Sequence, residues 1–358
     1  MRWDNLKIET DAQARLPGYR DVAIRRFDAP EALDTRFYEV RAKSALNRVP
    51  EASAMPFRWT INPYRGCSHA CVYCFARPTH KYLDFDAGRD FEKEIIVKVN
   101  VPEVLRAELK RPSWTREHIA MGTNTDPYQW VEGRYQLMPA IWEALRDFRN
   151  PCSVLTKSPL LLRDLGLMRQ ISEVTDISAN LSIPTIDEKA WRATEPHTPN
   201  PRARIEAVAE LNRNGIPTGI LVAPLIPGIN DDPRQVEEIL TLAADAGATS
   251  IGGIGLHLRG EVRGVFMEWL TSYRPDLVEH YERLYARGAY LPREERERLS
   301  ALLQRAGARR MGPFRRDPAQ RRPGERSRRM PTTDPPRPEA DTATVRPDPA
   351  RAVQDSLF

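Results

Sequence analysis

Between residues 58 and 256 the chain alternates short, β-rich apolar runs with longer segments of helical spacing. The first run, Arg58-Trp59-Thr60-Ile61-Asn62, leads into a loop rich in cysteine. Six more follow at 94–99, 118–122, 153–156, 176–183, 219–223 and 250–256. Between them, 102–110, 137–148, 160–174, 201–212 and 232–245 carry apolar residues at helical intervals, and Pro201 suits a first helical turn. Such alternation predicts stacked βαβ units on a parallel sheet. Repeated right-handed crossovers curl the sheet into a barrel or part of one. The expected class is therefore α/β.

The flanks read differently. Residues 1–55 are polar without clean periodicity and are expected to pack irregularly on the main domain or to reach a partner. Helical spacing at 262–273, 277–287 and 293–305 predicts helices that cap the barrel or cover its open edge. From 313 onward, proline and arginine dominate and large apolar residues almost vanish, a composition that predicts disorder. The expected organisation is an extension (1–55), a barrel (56–260), a helical region (261–312) and a tail (313–358).

Composition narrows the class further. With 41% hydrophobic and 29% charged residues, the 358-residue chain can build a core and remain soluble. No apolar run approaches the roughly 18–20 residues of a membrane span. The first residues lack a basic-then-apolar leader, so a reducing cytoplasm is the expected compartment. The net charge of +5 is mild, and much of the basic excess lies at 305–329.

Three of the four cysteines fall within Gly66-Cys67-Ser68-His69-Ala70-Cys71-Val72-Tyr73-Cys74, as C-x3-C-x2-C. Soft thiolates in so short a loop select an iron–sulfur cluster, zinc or Cu(I). Structural zinc would need a fourth ligand, for which His69 is a candidate, but the separated second pair typical of zinc sites is absent. Three thiolates leave one corner of a [4Fe–4S] cube open, whereas electron-transfer cubanes normally take four cysteines. An open iron can take a substrate or cofactor. His69 itself reads as an ordinary loop residue.

Function in such barrels gathers at the C-terminal strand ends. Four segments fall there: Gly122-Thr123-Asn124-Thr125-Asp126-Pro127, Thr156-Lys157-Ser158, Ser182-Ile183-Pro184 and Ala223-Pro224-Leu225. The first offers hydroxyls, an amide and the Asp126 carboxylate to an amino group or ribose. Lys157 at a strand end calls for an anion, because an unpaired buried charge is costly. Apolar backbone around Pro224 could flank a purine. Glu195 and His197 lie in a polar loop near the same mouth, where Glu195 reads as a satisfied loop carboxylate.

The cysteine spacing resembles the signature of the radical S-adenosylmethionine (SAM) superfamily. Together with Gly-Thr-Asn-Thr-Asp-Pro, Leu-Thr-Lys-Ser and Val-Ala-Pro-Leu-Ile-Pro-Gly, it resembles the branch related to spore photoproduct lyase, over roughly residues 56–260. The resemblance implies a partial (β/α)6 TIM-like barrel, a [4Fe–4S] cluster on Cys67, Cys71 and Cys74, and SAM cleaved reductively to a 5′-deoxyadenosyl radical. It implies SAM contacts from Lys157 and Ser182, with the Tyr73 backbone against adenine. Thr125, Asp126 and Pro224 are candidate contacts from their positions. An electron donor such as ferredoxin or flavodoxin is implied as a partner. One departure is clear: the lyase's additional cysteine belongs in the segment matching 122–126, where this chain has Asn124 and no thiol. Cys152, at the start of a strand, reads as a buried structural residue.

The chain closes with Gln354-Asp355-Ser356-Leu357-Phe358, which resembles the peptide by which bacterial polymerases and repair proteins dock on the sliding clamp. It turns the expected substrate towards DNA or nucleotides. The competing readings are radical modification of a protein or metabolite, and a non-enzymatic zinc scaffold that binds nucleic acid.

Overall fold

In the computed structural model, residues 8–11, 16–19, 22–27, 29, 34–51, 53 and 55–310 are described. The strands in chain order are β1 (Ile8–Asp11), β2 (Ala23–Phe27), β3 (Arg36–Val40), β4 (Leu46–Arg48), β5 (Trp59–Ile61), β6 (Tyr64–Arg65), β7 (Glu94–Lys98), β8 (Ile119–Met121), β9 (Cys152–Thr156), β10 (Ile177–Ser182), β11 (Thr218–Leu225) and β12 (Ile251–Gly255). They form two sheets, ordered β12-β11-β10-β9-β8-β5-β4 and β1-β2-β3-β7-β6.

The first sheet is the barrel. Its neighbours from β5 to β12 are all parallel, and β4 pairs antiparallel with β5 at one edge. Neither edge meets the other, so this is a partial barrel with six parallel strands. The crossover helices bury apolar stripes on it, and several begin at side-chain caps. Asn200 accepts from the Arg202 N–H at 2.8 Å, and Asp232 accepts from the N–H groups of Arg234 (2.9 Å) and Gln235 (3.1 Å). Each such cap contributes about 1 kcal/mol.

The run at 94–99 corrects the sequence reading. It is a strand, but it belongs to the second sheet, parallel to β3 and antiparallel to β6. Ile95, Ile96 and Val97 are fully buried, each stabilising by about 1.5–3 kcal/mol. An apolar run buried on both faces looks the same in either sheet; only its partner decides. That partner is β3, from the stretch expected to pack irregularly. Its polar character comes from cross-strand pairs: Arg36 reaches Glu94, and Arg25 reaches Glu39 at 3.1 Å.

The helix Arg293–Arg310 packs on β12 and on the helix Pro233–Asp245, covering one side of the last barrel strand. Among the described residues no helix is long and apolar enough to cross a membrane. The tail from 313, with the 354–358 peptide, lies outside the described residues.

Candidate active site

The chain crosses from β5 in one sheet to β6 in the other through Asn62 and Pro63 alone, then enters the cysteine loop. Gly66 opens the loop at φ +82°, and a Cβ there would lie 2.8 Å from His80 and 2.9 Å from the Phe91 carbonyl. Only glycine fits such a left-handed, crowded position. The Gly66 carbonyl accepts from Thr125 Oγ1 at 2.7 Å and Gln129 Nε2 at 3.2 Å, while Gln129 Oε1 accepts the Ser68 N–H at 3.0 Å. Arg77, 1% exposed, braces the loop from below by donating to the carbonyls of Cys71 (2.9 Å), Ala87 (3.1 Å) and Gly88 (2.8 Å). Further along, the Val72 N–H donates to the Thr194 carbonyl at 3.1 Å.

Cys67, Cys71 and Cys74 are free thiols lining one cavity of about 220 Å³. Burial pushes all three thiols up, Cys71 to about 12. A soft metal centre would displace their protons on binding. Among the described residues no three His, Cys, Asp or Glu side chains already close on one point as a metal cage. The donor set nevertheless fits a soft cluster: three uncommitted thiols in eight residues, all on the same cavity.

Every strand-end segment singled out from the sequence reaches this cavity, including Tyr73, Thr125, Asp126, Lys157, Ser182 and Pro224. Their side chains are already engaged. Gly122, at φ +87°, lets β8 pass β9 where a Cβ would lie 1.9 Å from the Leu155 carbonyl oxygen. Asp126 accepts from Thr156 Oγ1 (2.6 Å) and from the backbone N–H groups of Lys157 (2.8 Å) and Tyr128 (2.9 Å). Burial pushes its carboxyl up, but the nearby His69 and the Thr156 and Lys157 hydrogen bonds outweigh that and hold it below its ordinary value. His69 is 1% exposed and lines the cavity, unlike an ordinary loop residue. Its Nδ1 lies 3.4 Å from Asp126 Oδ2, too poorly aligned for a hydrogen bond, so neither ring nitrogen makes one.

Lys157 meets its anion within the protein. Its Nζ lies 2.6 Å from Glu195 Oε1, donates to Ser182 Oγ at 2.7 Å, and sits 5.6 Å from the Tyr73 ring centroid. Ser182 Oγ in turn donates to the Ala223 carbonyl at 3.1 Å, beside the cis Ala223–Pro224 bond. Glu195 is fully buried, pairs with Arg204 at 2.8 Å, and accepts from the Tyr73 phenol. Burial alone would push the Glu195 carboxyl up, but Arg204 and Lys157 hold it down at about 2. Sequence reading took Glu195 for a satisfied loop carboxylate; it is satisfied, but as the centre of a buried network behind the cavity. Only Lys157, a strand-end cation that calls for an anion, pointed there in the sequence.

A second buried carboxylate, Glu132, lies behind β6. It accepts from the N–H groups of Leu137 and Met138, both at 3.1 Å, from Arg163 Nη2 at 2.6 Å, and from the Tyr64 phenol. Burial raises its carboxyl above the ordinary value despite these partners. Cys152 sits fully buried at the start of β9, at the end of the strand away from the cavity residues Thr156 and Lys157. Burial pushes its thiol up.

A partial parallel barrel with three thiols after its first parallel strand defines the class. Residues 61–243 match the radical SAM superfamily, and the chain belongs to it. It is similar to an uncharacterized protein of Mycobacterium tuberculosis, at 47% identity over 304 residues, covering 84% of this chain and 89% of that one. A spore photoproduct lyase mutant with bound AdoMet and dinucleoside spore photoproduct shares the fold, with a TM-score of 0.56 at 17% identity over 76% of this chain and 78% of that one. A radical SAM Nalpha-GlyT isomerase of Pseudomonas phage M6 is 28% identical over 181 residues, 50% of this chain and 36% of that one. The protein is thus a radical SAM enzyme that shares its fold with spore photoproduct lyase. That membership sets aside the non-enzymatic zinc scaffold.

Proposed function

We propose that this enzyme holds a [4Fe–4S] cluster on Cys67, Cys71 and Cys74, binds SAM in the adjoining cavity, and acts on DNA or nucleotides. The observation that carries the reading is one cavity lined by three free thiols and by Lys157, Ser182 and Pro224 from the strand ends. When bound, such a cluster supplies the electron that cleaves SAM to a 5′-deoxyadenosyl radical. Lys157 would meet the SAM carboxylate while Glu195, 2.6 Å from its ammonium, holds it in place. Ser182, Thr125 and Asp126 would face the ribose and amino group, and the Tyr73 backbone and Pro224 the adenine.

The substrate class rests on two similar proteins: a lyase complexed with dinucleoside spore photoproduct and a phage enzyme named a Nalpha-GlyT isomerase. The lyase's own route is not proposed, because residues 122–126 lack a thiol and Cys152 is buried away from the cavity. A ferredoxin or flavodoxin in the cytoplasm would supply the electron. The 354–358 peptide would recruit the enzyme to a bacterial sliding clamp.

Anaerobic reconstitution with iron and sulfide, followed by reduction and SAM, tests the chemistry through 5′-deoxyadenosine. Product that disappears in Cys71→Ala supports the reading. A colourless protein that retains zinc and leaves SAM intact overturns it. Clamp pull-down with Leu357 and Phe358 replaced tests the recruitment, and equal retention removes it. SAM cleavage unaffected by any nucleic acid would move the substrate to a protein or metabolite.

A further inference from the structure

Among the described residues the exposed large apolar side chains are Met55, Phe75, Val174, Ile254 and Tyr290. Three of these five gather at one place. Phe75, 60% exposed, and Ile254, 51% exposed, line the mouth of the cavity. Tyr290, 41% exposed, joins the same rim through His257, itself a lining residue. The two rings lie 4.7 Å apart at 68°, and the residues form an antiparallel backbone bridge. Next to it the Leu258 N–H donates to the Ala289 carbonyl at 2.9 Å, so the exposed tyrosine is held on a pinned loop.

Charge at this rim is one-sided. The Arg259 guanidinium lies over the Tyr290 ring, 4.9 Å from its centroid. Arg296 is exposed on the helix that follows. Burial, then the charges of Arg259 and Arg296, hold the His257 imidazole below its ordinary value. The nearby acids are already paired, Glu295 with Arg298 and Glu297 with Arg293. Among the described residues neither Arg259 nor Arg296 has a carboxylate partner. Rigid aromatic faces beside unpaired guanidinium groups suit bases and phosphates together. An apolar peptide would leave those charges uncompensated. Chemistry on a base requires that base to leave its stack, so its flanking nucleotides need a resting surface outside the pocket.

We propose that Ile254, His257, Arg259, Tyr290 and Arg296, with Phe75 on the same cavity, form a platform on which single-stranded or unstacked DNA lies while one nucleotide enters the cavity. This rests on the nucleic-acid reading above. Neighbouring bases stack on Tyr290 and Phe75, and Arg259 and Arg296 take the phosphates.

The test uses the full chain and a fluorescein-labelled single-stranded 15-mer carrying 5-iodouracil. Tyr290→Ala is expected to weaken binding about tenfold, in line with loss of one stacked base. Arg259→Gln, on an exposed side chain and so tolerant of substitution, is expected to weaken it and to lower the salt slope by about one. Val174→Ser, an exposed apolar control before β10, is expected to leave both unchanged. Irradiation is expected to cross-link Tyr290 or Phe75. An unaltered affinity and slope in both rim variants, or cross-links confined to residues 313–358, would overturn the platform while leaving a DNA substrate in place. No binding by the unaltered protein to single-stranded or mismatched DNA would instead overturn the nucleic-acid reading itself.

Discussion

Two buried carboxylates in this molecule are built from the same parts and behave oppositely. Glu195 and Glu132 are both fully buried, each accepts from a tyrosine phenol, and each pairs with an arginine. Glu195 has a second cation, Lys157, and is held at about 2; Glu132 has backbone N–H groups instead, and burial wins. The difference lies in what faces the cavity. Lys157 lines it, whereas Arg163 does not. A fixed negative charge behind a cavity lysine holds that lysine aimed. The Glu132 cluster fastens Tyr64, the strand just before the cysteine loop, to the start of the helix Leu137–Asp147. One cluster prepares a site and the other braces it.

The largest effect that could break this comparison is on stability. Glu195→Gln leaves Arg204 and Lys157 without a compensating charge, and is expected to cost about 3–5 kcal/mol in urea unfolding. Glu132→Gln removes the charge partner of one arginine at a site where burial already disfavours the carboxylate, and should cost about 1–3 kcal/mol. Equal losses would erase the distinction. Acid titration sharpens it. The folded value for Glu195 lies below the ordinary 4.5, so its contribution is present above pH 4.5 and lost as pH falls towards 2. Glu132 is raised, so its contribution has the other sign and fades as pH rises through its folded value. Unfolding midpoints of Glu195→Gln should therefore flatten between about pH 4.5 and 2, and those of Glu132→Gln should not. The smallest effect is on the ligand. Lys157→Met should weaken SAM binding to the reconstituted protein about tenfold, roughly 1.4 kcal/mol, at unchanged iron content. Arg163→Met should not. Equilibrium dialysis with labelled SAM reads both, and an equal loss in Arg163→Met would deny Lys157 its special position.

Much of this was legible where chemistry is local in sequence. Three cysteines in one short loop announce themselves, and Asn200-Pro201 and Asp232-Pro233 mark helix starts by cap and first turn alone. The parallel strands were visible as apolar runs. What stayed hidden depends on partners distant in the chain. Nothing within residues 94–99 says that they pair with Arg36–Val40 rather than with the barrel. Glu195 sits in a proline-containing polar loop, where a surface acid is the default. Its buried character comes from Tyr73, Lys157 and Arg204, on three other elements. His69 reads as an ordinary loop residue for a related reason: its burial beside Asp126 depends on a segment distant in the chain.

The two-residue crossing between sheets has a consequence for synthesis. The cysteine loop gains its footing only when β7 has emerged to pair with β6, and its far side only when Thr194 and Glu195 exist to meet Val72 and Tyr73. Well over a hundred residues separate Cys67 from Glu195. At about 5–20 residues per second on the ribosome, the thiols spend roughly 6–25 s on a nascent chain without their mature surroundings. Oxidation or capture of a stray metal in that interval competes with correct assembly. Delivery of the proposed cluster therefore belongs after translation, and overproduction that outruns the supply of iron and sulfide should yield empty, oxidised chains.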